Sequence, residues 1–156
     1  MKTAVIYYSL GGSCAYIAEK INACKSAELI RLHVKNEKKR GKAAAFLWAI
    51  GVMFSKKPKL LPYTFDSSAY DLIIIGAPVW AGSPASPVKA FLSQTGIKGK
   101  KTAIYVCHAG GKGNSLEELK TLLADNEIIV ETDFINPNNE SEESKRQVED
   151  WINKLI

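Results

Sequence analysis

Two runs in this chain leave no face for water. Ala4-Val5-Ile6-Tyr7-Tyr8 and Leu72-Ile73-Ile74-Ile75 contain no charged residue and no alternation of apolar with polar positions. A strand with one wet face alternates; a strand covered on both faces does not. Both are therefore expected as interior strands of a parallel sheet with helices on each side. The first spans about Thr3–Tyr8, and the second, the clearest central strand, spans Asp71–Gly76. Ala27–Leu32, Thr102–Cys107 and Ile128–Ile135 read as the remaining strands.

Helical patterns fall between them. Ser13 stands at an N-cap position, with Tyr16, Ile17, Ile21 and Cys24 following at helical spacing. Ser86-Pro87 reads as a cap followed by proline at the first helical position. Val88, Phe91 and Leu92 make that helix's stripe, and Gly96 ends it. Ser115-Leu116-Glu117-Glu118 matches a capping box, with Leu119, Leu122 and Leu123 inward. Val148, Trp151, Ile152 and Leu155 make the inner face of a terminal helix. Strands alternating with helices predict an α/β three-layer sandwich. Right-handed crossovers leave few topologies, and the expected one is a five-stranded parallel sheet in the order 2-1-3-4-5 within one domain, 1–156. In such a sheet a ligand sits at the switch point, outside the carboxyl ends of strands 1, 3 and 4.

That placement brings three loops together. The first is Tyr8-Ser9-Leu10-Gly11-Gly12-Ser13-Cys14, a tight strand-to-helix turn. Such a turn aims several backbone N–H groups and the positive end of a helix dipole at one point, where an anion fits; glycine and serine there also serve simply to turn the chain. The second is Gly76-Ala77-Pro78-Val79-Trp80-Ala81-Gly82-Ser83-Pro84. Trp80 in it offers a flat face to a planar ligand or closes the end of the core. The third is Cys107-His108-Ala109-Gly110-Gly111-Lys112-Gly113-Asn114, whose glycines let the backbone approach a ligand edge. A histidine in such a loop is by itself more often a surface residue than a catalyst.

Composition removes several classes. Hydrophobic residues are 46% and charged residues 24%, a globular rather than a disordered balance. The N-terminus runs straight into a strand pattern, so no signal peptide is expected, and the longest apolar run, Ala43–Phe54, is too short to span a bilayer. Three cysteines without metal spacing read as thiols of a reducing cytoplasm. The net charge of +5 is concentrated: residues 35–59 hold eight lysines and arginines, Lys38, Lys39 and Arg40 among them, against Glu37 alone. This irregular segment, about 35–65, lies between strands 2 and 3. Its charges read as a solvated loop, or as a surface for nucleic acid, acidic lipid or an acidic redox partner. Ala43–Phe54 reads as a core helix, with a lid, a homodimer surface or an interfacial membrane contact as alternatives.

Taken together, the three loops resemble those of the flavodoxin family and its flavodoxin-like NAD(P)H-quinone-reductase relatives, over nearly the whole chain. Ala77-Pro78-Val79-Trp80-Ala81-Gly82-Ser83-Pro84 is the most specific part of the likeness. The resemblance implies a flavodoxin-like sandwich and non-covalent FMN, with no metal; no nucleic-acid partner is expected. It places the phosphate at Ser9, Gly11, Gly12, Ser13, Cys14 and Ala15. The isoalloxazine would lie against Pro78, Val79, Trp80, Ala81 and Gly82, and its edge against His108, Ala109, Gly110 and Gly111. The family's loop runs Ser/Thr-x-Thr-Gly-Asn-Thr; here Gly11 stands at the middle Thr, Ser13 at the Asn and Cys14 at the last Thr. The implied activity is electron transfer from NAD(P)H to a quinone or similar acceptor, with no catalytic side chain because the flavin carries the chemistry. The alternatives are an electron carrier between redox proteins, and a flavodoxin-shaped binding module without FMN. Carriers of this family are typically acidic, and this chain is basic.

Other users of such a sheet lack their residues here. A receiver domain needs carboxylates at the end of strand 1, where Tyr8-Ser9 stands. A low-molecular-weight tyrosine phosphatase needs an Arg shortly after its Cys, yet none follows Cys14 before Arg31. No G-x-G-x-x-G follows strand 1.

Overall fold

The computed structural model of the chain describes residues 1–35, 37, 43, 47, 50–51 and 58–155. The strands are β1 (Thr3–Tyr7), β2 (Glu28–Arg31), β3 (Leu72–Trp80), β4 (Ser83–Pro84), β5 (Lys101–His108) and β6 (Glu127–Ile135). The helices are α1 (Ser13–Lys25), α2 (Ser86–Thr95), α3 (Ser115–Leu122) and α4 (Glu142–Asn153). The sheet runs β2-β1-β3-β5-β6, with every pair along this path parallel. This is the expected order and the flavodoxin-like sandwich, plus one short strand, β4, which turns back antiparallel on the end of β3.

Alternate residues of each interior strand feed two separate cores. On one face Ala4, Ile6, Ile73, Ile75, Ile104 and Val106 meet Val88, Phe91, Leu116 and Leu119 of α2 and α3. On the other, Val5, Ile74, Ala103 and Tyr105 meet Ile17, Ile21, Val148 and Trp151 of α1 and α4. The strands without a polar face are thus explained: each of their side chains has a helix to pack on. Burying one such side chain contributes roughly 1.5–3 kcal/mol.

Three helices begin one residue earlier than their serines suggest. The N-caps are Gly12, Ala85 and Asn114, none with a side-chain cap bond, and Ser13, Ser86 and Ser115 are first helical residues. The serine hydroxyls have other work: Ser13 Oγ bonds Asn138 Oδ1 at 3.0 Å, and Ser115 Oγ donates to the Lys112 carbonyl at 2.6 Å. In α4 the cap is a side chain: Ser141 Oγ accepts the Ser144 N–H at 3.2 Å, with Glu142 and Glu143 in the first turn, where a helix dipole favours negative charge. Gly96 caps α2 as expected, in the left-handed conformation. Among the described residues no helix is long and apolar enough to cross a membrane. The basic charges Lys38, Lys39, Arg40, Lys42, Lys56 and Lys57, and all of Ala43–Phe54 except residues 43, 47, 50 and 51, lie outside the described residues.

Candidate functional site

The first loop leaves β1 through Tyr8 and Ser9, both buried. Ser9 is fixed from two sides. Its Oγ accepts the Ala15 N–H at 3.2 Å, and its carbonyl accepts Arg31 Nη2 from the end of β2 at 2.8 Å. Between these anchors the chain turns through Gly11 and Gly12 into α1. The backbone N–H groups of Gly11, Gly12, Ser13 and Cys14 find no acceptor among the described residues, and Gly11 is exposed with open space beside it. Four successive free donors at the positive end of a 13-residue helix match the acceptor oxygens and charge of a phosphate group.

The Cys14 thiol is not part of that turn. Cys14 is 1% exposed and packs into the core with Ile17, Ala18 and Ile21. Burial pushes its thiol pKa well up, and the neighbouring Cys107 adds to the effect. Placing the Cys14 side chain among the phosphate donors is therefore corrected; its backbone N–H alone faces the turn. The cause is the earlier helix start, which puts residue 14 on the inward stripe 14-17-18-21. From across the sheet Tyr105 Oη donates to the Cys14 carbonyl at 3.0 Å. The Tyr105 ring reaches it by passing over Gly76, its partner on β3, where a Cβ would collide with the ring.

The second loop is a hairpin rather than an open loop. β3 continues past Gly76 through Trp80, turns at Ala81 and Gly82, and returns as β4. Both turn residues have positive φ, 50° and 76°, as a two-residue hairpin requires. Ser83 Oγ ties the return strand to α3 by donating to Glu118 Oε2 at 2.8 Å, and to α2 by accepting Lys89 Nζ at 3.0 Å. Trp80 is half-buried against the α2–α3 core, and its ring meets Tyr8 edge-on, centroids 5.6 Å apart. It therefore helps close the end of the core while keeping part of its surface at the sheet edge. The Tyr8 hydroxyl donates to Glu37 at 3.2 Å. Burial and this carboxylate push the phenol pKa far above its usual range.

The third loop follows β5. His108 is held at both ring nitrogens: Nε2 lies 2.8 Å from Asp133 Oδ2, and Nδ1 accepts the Gly111 N–H at 2.9 Å. Ala109, Gly110 and Gly111 project beyond it, exposed. Burial works against the Asp133 carboxylate, but hydrogen bonds from His108 and Lys112 outweigh it and hold its pKa below the ordinary range. His108 is thus a structural residue of the loop.

Contacts chain the three loops together. Tyr8 touches Trp80, and Gly113 touches Gly82, whose carbonyl accepts the Asn114 N–H at 2.9 Å. The loops leave β1, β3 and β5, which are neighbours in the sheet, at the same edge. Sequence reading passed over Arg31, Tyr105, Asp133 and Asn138. Each acts through a partner at least 22 residues away, so no local pattern marks it.

No family model matches the chain. Several solved structures are similar to it. An FMN-complexed flavoprotein of Lactobacillus acidophilus is 26% identical, with a TM-score of 0.71 over 96% of this chain and 97% of that one. A WrbA-like flavodoxin of Agrobacterium tumefaciens is 17% identical, with a TM-score of 0.64 over 97% and 95%. The two-electron reduced flavodoxin of Megasphaera elsdenii is 19% identical, with a TM-score of 0.60 over 97% and 98%.

Proposed function

We propose that this chain, which has the flavodoxin-like fold, binds FMN and passes electrons from NAD(P)H to a quinone or similar small acceptor. The observation that carries this reading is the run of free backbone donors from Gly11 to Cys14 at the start of α1. Those groups would hold the FMN phosphate. Ser9 Oγ already accepts a bond from Ala15, so its proton is free to donate to the same anion. Gly12 and Ala15 frame the turn, and Ser13 contributes its N–H while its hydroxyl stays with Asn138.

Pro78, Val79, Trp80, Ala81 and Gly82 would border the ring system, with the half-buried Trp80 supplying an apolar surface that excludes water. The exposed backbone of Ala109, Gly110 and Gly111 would meet the ring edge, in a shape set by His108. FMN when bound supplies the hydride and electron transfer, and the protein supplies position and electrostatics. The FMN-complexed Lactobacillus relative, matched over nearly its whole length, supports the choice of cofactor. The net charge of +5 supports a reductase over a carrier of the acidic type.

The visible spectrum of the purified protein, with identification of the released chromophore, tests the cofactor. Steady NAD(P)H oxidation in the presence of a quinone tests the activity. A flavin spectrum without such turnover would replace the enzyme by an electron carrier.

A further inference from the structure

The third loop is pinned by a hydrogen bond whose acceptor is a histidine ring nitrogen. The Gly111 N–H can only donate, so His108 Nδ1, 2.9 Å away, must be the unprotonated, accepting nitrogen. The ring hydrogen then resides on Nε2, facing the Asp133 carboxylate at 2.8 Å. The ring has little freedom to turn: its side chain is 6% exposed, and the Asn136 N–H holds the His108 carbonyl at 3.0 Å. Among the described residues the charged groups facing this pair are Asp133 itself, from β6, and Lys112, whose Nζ lies 3.3 Å from Asp133 Oδ1. From α4, the neutral Gln147 amide donates to the Asp133 carbonyl at 2.9 Å.

We propose that His108 is a positioning residue whose neutral Nε2–H form locks residues 108–111 against the site, and that protonation at Nδ1 releases the loop and weakens flavin binding. A second ring proton at Nδ1 would point at the Gly111 N–H, turning a bond into a donor–donor conflict. The Asp133 contact survives, because an imidazolium still donates from Nε2. The ring therefore stays in place while the Gly111 side of the loop comes free. Ala109, Gly110 and Gly111 are exposed, and among the described residues no other hydrogen bond holds them. A released loop must be reordered whenever a ligand binds, which lowers affinity. The choice of ligand rests on the FMN reading; the lock itself does not.

The test is a pH titration of the full chain from about pH 5 to 8. The His108 ring nitrogens and the Gly111 amide are followed by NMR, and riboflavin and FMN affinities are measured in parallel. Riboflavin is essential because it lacks the phosphate, which itself titrates near pH 6. The ring should be Nε2-protonated at high pH. The Gly111 amide should lose its hydrogen-bonded shift at the midpoint of the His108 ring, and riboflavin affinity should fall about two- to tenfold through that midpoint, the scale of one lost hydrogen bond. In Asp133→Asn the His108 ring, the Gly111 amide and riboflavin affinity should still change together, at whatever midpoint that variant shows. His108→Leu should flatten the riboflavin profile; if it fails to fold, Asp133→Asn decides. A Gly111 amide indifferent to His108 titration, an Nδ1–H tautomer, or a flat riboflavin profile over a titrating ring would overturn the proposal. If the protein binds neither flavin at any pH, it is the FMN reading that falls, and the Gly111 titration still decides the lock.

Discussion

Gly113 lies with its Cα against the backbone of Gly82, so close that a methyl group on Gly113 would sit 2.7 Å from the Gly82 carbonyl oxygen. This contact joins the second and third loops, and it sits in the left-handed region, with φ at +52°. Gly113→Ala is expected to force the loops apart and to strain the backbone. Stability should fall by about 1–3 kcal/mol, and FMN affinity should fall with it. Thermal melts and a flavin titration check this; an unchanged melt would place the two loops apart in solution.

Gly76 and Tyr105 make a comparable pair inside the sheet. Tyr105→Phe keeps the ring and removes only the bond to the Cys14 carbonyl, so it should cost roughly 0.5–1.5 kcal/mol. Gly76→Ala drives a methyl group into the ring and should cost clearly more than that substitution. Denaturant titrations of both variants give the order. Equal costs would mean that the ring yields to the added methyl.

Cys14 gives a prediction about what will not happen. A threonine there would carry the hydroxyl of the related phosphate loops, yet residue 14 points into the core. Cys14→Thr should therefore leave FMN affinity without a tenfold gain and should lower stability by about 1–3 kcal/mol, the cost of burying an unpaired hydroxyl. Calorimetric FMN titrations of both proteins, with a melt of each, would expose an error as tighter binding in a stable variant.

Much of this architecture is legible in the sequence, and the reason is burial. Ala4–Tyr8 and Leu72–Ile75 fill two cores at once, so their composition alone names them as interior strands, and the strand order follows from crossover handedness. The site is legible only at its backbone. Gly11, Gly12 and the glycines of the third loop mark where the chain turns, but the serine capping rule misplaced three helix starts by one residue. At Ser13, a contact to Asn138 claims the hydroxyl that the rule assigns to the cap. That one-residue shift decided the fate of Cys14. The hairpin at Ala81-Gly82 was hidden because Ala81 is an uncommon choice for a residue with positive φ. Arg31 and Asp133 were hidden because their roles depend on tertiary contacts.

Ala81 can be improved on. Asparagine tolerates the left-handed region better than alanine and is favoured at the first position of such turns. Ala81→Asn should stabilise the protein by a few tenths of a kcal/mol up to about 1 kcal/mol. A higher melting temperature with unchanged fold is the expected sign, and a lower one would show that the turn adopts another form in solution.

Asp133 sets an acid limit. Its carboxyl pKa is lower folded than unfolded, so its contribution is present above the unfolded value, near 3.8, and is lost as pH falls through the folded one. Asp133→Asn should therefore lower stability at neutral pH and reduce the loss of stability below about pH 4. Melting curves across that range, wild type against variant, should converge at the acid end; parallel curves would mean that the carboxylate gains nothing from His108 and Lys112.

The free donors from Gly11 to Cys14 are expected to hold the phosphate of FMN. Calorimetric titration of the purified protein with FMN and with riboflavin, at one pH and salt, tests it most directly. Hydrogen bonds to a charged group contribute roughly 1.5–3 kcal/mol each, so FMN should bind more than tenfold more tightly than riboflavin. Equal affinities, or no heat with FMN, would contradict the claim.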